Sequence, residues 1–303
     1  MPAATRPANP LTGIGLILLA VMVFAVCDVL TKHLTLLYAV PLVMLLRYLA
    51  NLGLLLAVYL PRQGRALFAT QRTGLVLLRA ACLAAASLTI GLALRFMPVA
   101  ETLAIVYLAP VLVVILGRML LGEEVSWIGW AGVICGFAGV LLIIRPGAGL
   151  DTVGVALCLV NSVFGAGYHL LSRLLSRTET TAAMLVHTAG LGAVVFGVLV
   201  VAGGVGTVPH GVDWLWLLAL GALTTLGHFL FTAAYREAPA SVLAPVNYMH
   251  LVWAGLLGWL FFDHAPDTVS MSGMALVAVA GTAVALRTHF TRSRESAQSL
   301  SSG

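Results

Sequence analysis

The chain has 303 residues, of which 61% are hydrophobic and only 9% charged. A soluble globular chain carries about 25% charged residues to furnish its water-facing surface, so a chain this poor in charge is expected to be covered by lipid. The net charge of +5 is dispersed, and no block of Lys and Arg is interleaved with aromatics, so nucleic-acid binding has no footprint here.

Crossing a hydrocarbon core of about 30 Å at 1.5 Å per residue takes about 20 apolar residues. After an N-terminal segment (residues 1–10), such runs predict ten spans, at 11–31, 38–60, 73–95, 98–121, 126–145, 152–172, 182–202, 212–235, 239–263 and 269–287. The first run follows a single Arg6 and lacks an A-x-A-like cleavage site, so it reads as a retained span rather than a removed leader. Helix-stopping or charged residues punctuate the runs, as at Pro61-Arg62-Gln63-Gly64-Arg65 and Arg145-Pro146-Gly147. The Ser-rich, charged stretch 288–303 is expected to be a disordered cytoplasmic tail. Cys27, Cys82, Cys135 and Cys158 all fall inside apolar runs and read as small buried side chains, not as disulfides or metal ligands.

The positive-inside rule sets the orientation. With a cytoplasmic N-terminus, that side holds Arg6, Arg62, Arg65, Arg72, Arg118, Arg173, Arg177, Arg236, Arg287, Arg292 and Arg294, which is 11 of the 16 Lys and Arg. The other side holds 3, namely Lys32, Arg95 and Arg145, while Arg47 and Arg79 lie within spans. Both termini are therefore expected to be cytoplasmic.

Sliding the chain against itself by 141 residues pairs Gly13 with Gly154, Arg95 with Arg236, Pro98 with Pro239, Tyr107 with Tyr248, Gly117 with Gly258 and Gly132 with Gly273. Leucine matches are cheap in this composition; the Arg-x-x-Pro pair and the tyrosines nine residues beyond it are not. One constant offset argues for duplication of a five-span unit, 11–145 and 152–287. Five is odd, so the second unit must enter the membrane from the opposite side. The predicted fold is thus an all-α membrane protein of ten helices in two inverted five-helix repeats, an architecture that holds a solute near the midplane between the repeats.

The stretch from Pro98 to Ile143, PVAETLAIVYLAPVLVVILGRMLLGEEVSWIGWAGVICGFAGVLLI, resembles the signature of the drug/metabolite transporter superfamily, in its EamA-type branch. The second copy, containing ASVLAPVNYMHLVWAGLLGWLFFDHAPD, is similar but has Leu251 where Pro110 stands in the first copy, and Asp263-His264 where the family often shows Gly-Glu. The resemblance covers nearly the whole chain and is nearest to bacterial exporters of amino acids, including aromatic ones. It implies an inner-membrane transporter with an amino-acid substrate and a central cavity lined by spans 1, 3, 4, 6, 8 and 9, with spans 5 and 10 at the periphery. The alternative is another solute class, such as a nucleotide-like metabolite, a vitamin or a drug.

A polar side chain inside a span is costly and normally faces the bundle interior or a water-filled cavity. On span 9, Asn247 and Tyr248 share a face with Ala244 and Leu251, and Tyr107 is the matching residue of span 4. These tyrosines read either as aromatic walls of a substrate site or as helix contacts. Asn161 in span 6 can donate and accept at once, or serve as interhelical glue. His228 in span 8 pairs with Ser87 of span 3 through the repeat, and either binds substrate, takes a proton or packs. Arg79 either snorkels to the interface or attracts a carboxylate, and Arg47 reads as paired inside the protein. Asp28 and Lys32, four apart, are expected to pair with each other, and Glu101 is expected to sit at a helix start. Pro110 and Pro245 are candidate hinges of alternating access, and Gly132, Gly136, Gly139, Gly273 and Gly281 fit close helix packing. No H-E-x-x-H or G-x-S-x-G run occurs, so an intramembrane enzyme is a remote reading, and no cofactor or metal is called for.

Overall fold

The computed structural model describes residues 10–121, 127–145, 149–175, 178–204, 206–237, 243 and 246–280. Every regular element among them is helical. The elements are α1 (Pro10–Leu37), α2 (Val40–Gln63), a short 3-10 turn (Gly64–Phe68), α3 (Thr73–Phe96), α4 (Val99–Val106), α5 (Ala109–Leu121), α6 (Trp127–Ile143), α7 (Thr152–Leu175), α8 (Thr181–Gly203), α9 (Asp213–Glu237), α10 (Met249–Phe262) and α11 (Thr268–Ala280). Seven described segments are long and apolar enough to cross a membrane, α4 and α5 counting together, and three shorter apolar helices accompany them. Many of their large side chains stay exposed, among them Leu19, Ile134, Val198, Leu215 and Phe261. In water such a surface would aggregate; in lipid it is the expected outer face.

Helix ends are placed by short polar caps. Thr180 accepts from the Ala183 amide at the start of α8, and Asp151 accepts from the Gly154 amide at the start of α7. Glu179, only 8% exposed, reaches across from the α7–α8 connection and takes the Gln71 and Arg72 amides just before α3. On the opposite end of the bundle, Asp267 caps α11 through the Ser270 amide and pairs with Arg145 at 2.7 Å. Those two interactions, the amide first and the guanidinium second, hold the Asp267 carboxyl below its ordinary range. All four cysteines are free thiols.

The packing repeats what the 141-residue offset announced. α3 lies along α7 as α9 lies along α1; α2 crosses its counterpart α8; α2 touches α9 as α8 touches α3; and α4 with α5 leans on α7 as α10 leans on α1. The main helix contacts between the halves therefore come in pairs generated by exchanging the repeats. Because lipid tails are as apolar as leucine, these contacts are held by close packing and interhelical hydrogen bonds rather than by expulsion of water. Among the described glycines the closest approach to backbone is between α6 and α11. A Cβ at Gly139 would sit 2.8 Å from the Gly273 carbonyl oxygen, and one at Gly273 would sit 2.6 Å from the Gly139 oxygen. Backbone cannot step aside as a flexible side chain can, so Gly273→Ala is expected to destabilise the protein by about 1–3 kcal/mol. Thermal melting of the detergent-solubilised variant checks this, and an unchanged midpoint would show that the two helices separate freely.

Span 4 is broken. α4 stops at Val106, Tyr107 and Leu108 make a turn, and α5 begins at Ala109. The Leu108 amide bonds to Ile105 rather than four residues back, and Pro110 falls in the first turn of α5, where its missing N–H costs nothing. The repeat-related break lies at Tyr248, immediately before α10. Pro245, the second candidate hinge, and the tail 288–303 lie outside the described residues.

Candidate functional site

A cavity of about 870 Å³ lies between the halves. Its mouth is framed by Arg62 and Gln63 at the end of α2 and by Thr180 and Thr181 at the start of α8, and its deep end by Arg47, Ser87, Thr224 and His228. The walls come from α2, α3, α7, α8 and α9. That differs from the lining implied by the family resemblance, since spans 2 and 7 contribute whereas spans 1, 4 and 9 do not. The reason is local: in this state α1, α4 and α10 are packed together at the far end, which closes that side of the bundle.

The deep wall is polar. Arg47, half-buried, donates through Nη2 to Ser87 Oγ at 2.8 Å, and the Tyr48 hydroxyl meets the same oxygen at 2.8 Å. The guanidinium carbon lies 5.2 Å from the Tyr48 ring centre. The guanidinium thus has partners in Ser87 and Tyr48 and, as a lining group with five donors, borders the cavity where a solute would lie. Asn51 donates to Thr225 across the α2–α9 contact at 2.8 Å. Ser87 and His228 are related by the repeat and both line the cavity, as are Arg47 and Thr188.

Arg79 is 4% exposed and sits behind this wall. Its Nε donates to Ser172, Nη1 to Thr188 and Nη2 to the Tyr168 hydroxyl at 2.7 Å, and its carbon lies 4.3 Å over the Tyr168 ring. Tyr168 and Thr188 are lining residues; Arg79 itself is the bracket that fixes them. It therefore neither snorkels nor faces the cavity.

The remaining sequence candidates separate. His228 faces the cavity, its ring edge-on to Phe24 at 5.1 Å. Asn161, 3% exposed, donates to the Ala86 carbonyl at 2.5 Å and to Thr89 at 3.1 Å, which ties α7 to α3 away from the cavity. Tyr107 and Tyr248 meet each other at the two helix breaks, ring centres 5.2 Å apart, on the line that relates the repeats. The Tyr107 hydroxyl donates to the Asn247 carbonyl at 3.4 Å and lies 3.1 Å from His250 Nδ1. Asp28 does not pair with Lys32. Its Oδ2 lies 3.0 Å from His250 Nε2, while Lys32 donates to the carbonyls of Leu94 and Met97 at 2.9 and 2.6 Å. Lys32 has no need of the carboxylate because the carbonyls at the C-terminal end of α3 already attract a cation.

The end opposite the mouth is fastened by several such contacts. Tyr38 donates to Asp213 between α1 and α9. Glu101, 3% exposed, meets His264 at 3.1 Å. A smaller cavity of about 250 Å³, lined in part by Lys32, Met97 and His264, lies among these residues.

The sequence missed Tyr168, Thr188, Asn51 and Thr225 as lining residues. In-span hydroxyls carry a weak signal, because each can satisfy itself on its own helix; Thr188 bonds Met184 O and Thr225 bonds Gly221 O in that way. Ser87 was reachable only through its repeat partner His228.

A duplicated helical bundle in lipid with a solute-sized cavity between its halves defines a multi-pass membrane transporter. The EamA-like transporter family model matches twice, at residues 11–145 and 152–287, and the chain belongs to that family. It is 28% identical over 299 residues to a riboflavin transporter of Rhizobium johnstonii, covering 97% of each chain. A riboflavin transporter of Brucella anthropi is 30% identical over 223 residues, 72% of this chain and 78% of its own. The pseudopaline exporter of Pseudomonas aeruginosa is 26% identical over 89% of this chain and 94% of its own. A crystal structure 21% identical in sequence superposes with a TM-score of 0.63 over 93% of this chain and 98% of its own, a likeness of fold.

Proposed function

We propose that the protein moves a flat nitrogen-heterocyclic metabolite of the riboflavin class across the bacterial inner membrane by alternating access. The observation that carries this is the cavity: about 870 Å³, toward the upper end of the roughly 300–1,000 Å³ typical of small-molecule sites. It holds aromatic rings (Tyr59, Tyr168, Phe229), hydroxyl and amide groups (Asn51, Thr188, Thr225) and the Arg47 guanidinium. An amino acid is small for that volume. A fused ring system with a polyol chain uses all three features: faces for stacking, ring carbonyls for the guanidinium, and chain hydroxyls for the threonines. Relatives that carry riboflavin support this class over the amino-acid export suggested by the sequence resemblance.

In this reading ten spans place both termini in the cytoplasm, so the mouth beside Arg62 opens to the cytoplasm and the Glu101–His264 end faces outward. The breaks at Tyr107 and Tyr248, with Pro110 and Pro245 beside them, are the places where spans 4 and 9 bend as the cavity changes side. His228 is the solute contact at the cavity's deep end.

The test is exchange in proteoliposomes. Vesicles loaded with riboflavin should take up labelled riboflavin saturably, with unlabelled aromatic amino acids competing weakly. Saturable exchange of tryptophan or phenylalanine without riboflavin would return the protein to amino-acid transport. Exchange of S-adenosylmethionine alone would place the substrate with that of the Rickettsia felis uptake transporter, 25% identical to this chain.

A further inference from the structure

Beyond the solute cavity and sealed from it lies a second polar centre. Asp28 of α1, His250 of α10 and Tyr107 of the span-4 break form a chain: hydroxyl to Nδ1 at 3.1 Å, Nε2 to carboxylate at 3.0 Å. His250 is 8% exposed, and Asp28 Oδ2 and His250 Nε2 are both buried without a hydrogen bond of acceptable angle to any described group, close to each other but misaligned. A carboxylate and an imidazole in contact inside a bilayer are expensive to keep, and intramembrane ionisable groups of this kind mark ion or proton paths. The fold does not require them. The repeat-related position of His250 is Ala109, which is buried at the other break, and that of Asp28 is His169.

We infer that Asp28 and His250 bind a proton as a unit, with Tyr107 orienting the imidazole, and that this proton drives transport. The inference rests on the transport reading for its second half only. With the proton bound, the pair is net neutral, either as carboxylate and imidazolium or as carboxylic acid and imidazole; the proton belongs to the pair. Without it the pair carries one negative charge, which a closed apolar setting penalises heavily. The unloaded pair therefore favours a state in which water reaches it, and the loaded pair tolerates occlusion. That difference in stability is what lets a proton gradient bias a conformational cycle.

Access is controlled by one ring. Phe24 lies between His228 at the cavity floor and His250, with ring centres 5.1 and 6.4 Å away. It packs on bare backbone at Gly227, where a Cβ would approach its ring to 2.6 Å. The charged and titratable groups facing the pair are Cys27 beside Asp28, Lys32 one turn along α1, Glu101 on α4 with Oε2 buried and unbonded, His264 beside it, Tyr248 against Tyr107, and His228 on α9 with Arg47 beyond. Lys32 is held by backbone carbonyls and Glu101 meets His264, so the nearest cation and the nearest other carboxylate each have partners of their own.

Two measurements test this. Infrared difference spectra between acid and alkaline pH on the purified, lipid-reconstituted protein need no substrate. One band pair should titrate in the wild type, either a carboxylic C=O stretch or imidazole-to-imidazolium ring modes; it should disappear in Asp28→Asn and shift its midpoint in His250→Gln. In proteoliposomes with an imposed pH gradient, riboflavin accumulation should fall about tenfold or more in Asp28→Asn, while gradient-free riboflavin exchange stays within about twofold. A spectrum unchanged by Asp28→Asn, or gradient-driven accumulation equal to wild type in that variant, overturns the proposal. A titrating, Asp28-dependent band in a protein that moves no riboflavin keeps the proton site and removes the proposed solute instead. Wild-type exchange that no pH gradient can bias removes the coupling.

Discussion

Replacing Arg79 with methionine is expected to disable transport far more than it destabilises the fold. The guanidinium holds three hydroxyls at once, yet two of them keep other bonds without it: Ser172 donates to the Tyr168 carbonyl at 2.6 Å and Thr188 to the Met184 carbonyl at 2.7 Å. Deleting one partner of a buried ion pair strands a charge, at a cost of about 3–5 kcal/mol, but no charge is stranded here. The relevant scale is the interhelical hydrogen bond in a membrane, about 0.6 kcal/mol on average, so three of them suggest about 2 kcal/mol. Tyr168 is what changes. It loses both the bond to its hydroxyl and the cation over its ring, and it lines the cavity. A freed wall residue is expected to raise the half-saturation concentration about tenfold or more, since misplacing a positioning group by about 1 Å can cost as much as a hundredfold in rate. Lysine at this position keeps the charge but not the planar fork that reaches three hydroxyls and the Met184 carbonyl, so it should recover only part of the loss. Thermal melting and riboflavin exchange on the same preparations check both halves. A variant that melts early and transports normally when folded would make Arg79 a fastening of α3 to α7 and α8 and nothing more.

How much of this was legible in the sequence depends on the range of the interaction. Span existence follows from composition, because a run of about 20 apolar residues has little alternative to a helix in lipid. The duplication was legible because Arg95, Pro98 and Tyr107 recur at one offset, and the breaks at both tyrosines show what that recurrence encodes. Pairings failed where a local option existed. Asp28 and Lys32 stand one turn apart, so the sequence favours their contact, but the α3 C-terminus supplies carbonyls to Lys32 and α10 supplies a histidine to Asp28. Neither partner is visible without the fold. Asn161 illustrates the opposite ambiguity: an in-span amide signals a need for partners, and only the structure says that α3 provides them. The lining contributed by α2 and α8 was missed because it depends on which side of the bundle is closed, a property of state rather than of sequence.

The second large effect is expected at Arg47, which presents a cation to the deep end of the cavity. Alanine there removes every donor of the fork and leaves Ser87 and the Tyr48 hydroxyl bonded to each other, so the wall itself stays satisfied and the folded yield should hold. A hydrogen bond to a charged group contributes about 1.5–3 kcal/mol, which corresponds to about ten- to a hundredfold in binding. The half-saturation concentration for riboflavin should rise by that factor in Arg47→Ala, with the maximal exchange rate changed much less. Arg47→Lys should fall between, because an ammonium offers the charge without the paired donors that suit adjacent ring carbonyls. The contrast with Arg79 is diagnostic. Both are in-span arginines near the same cavity, but one lines it and the other holds its wall, so loss at Arg47 should depend strongly on which ring carbonyls the solute carries, whereas loss at Arg79 should be the same for every solute that fits. If deleting the ring carbonyls from a riboflavin analogue costs the wild type nothing, the guanidinium is not their partner and the solute sits nearer the mouth, between Arg62 and Thr181.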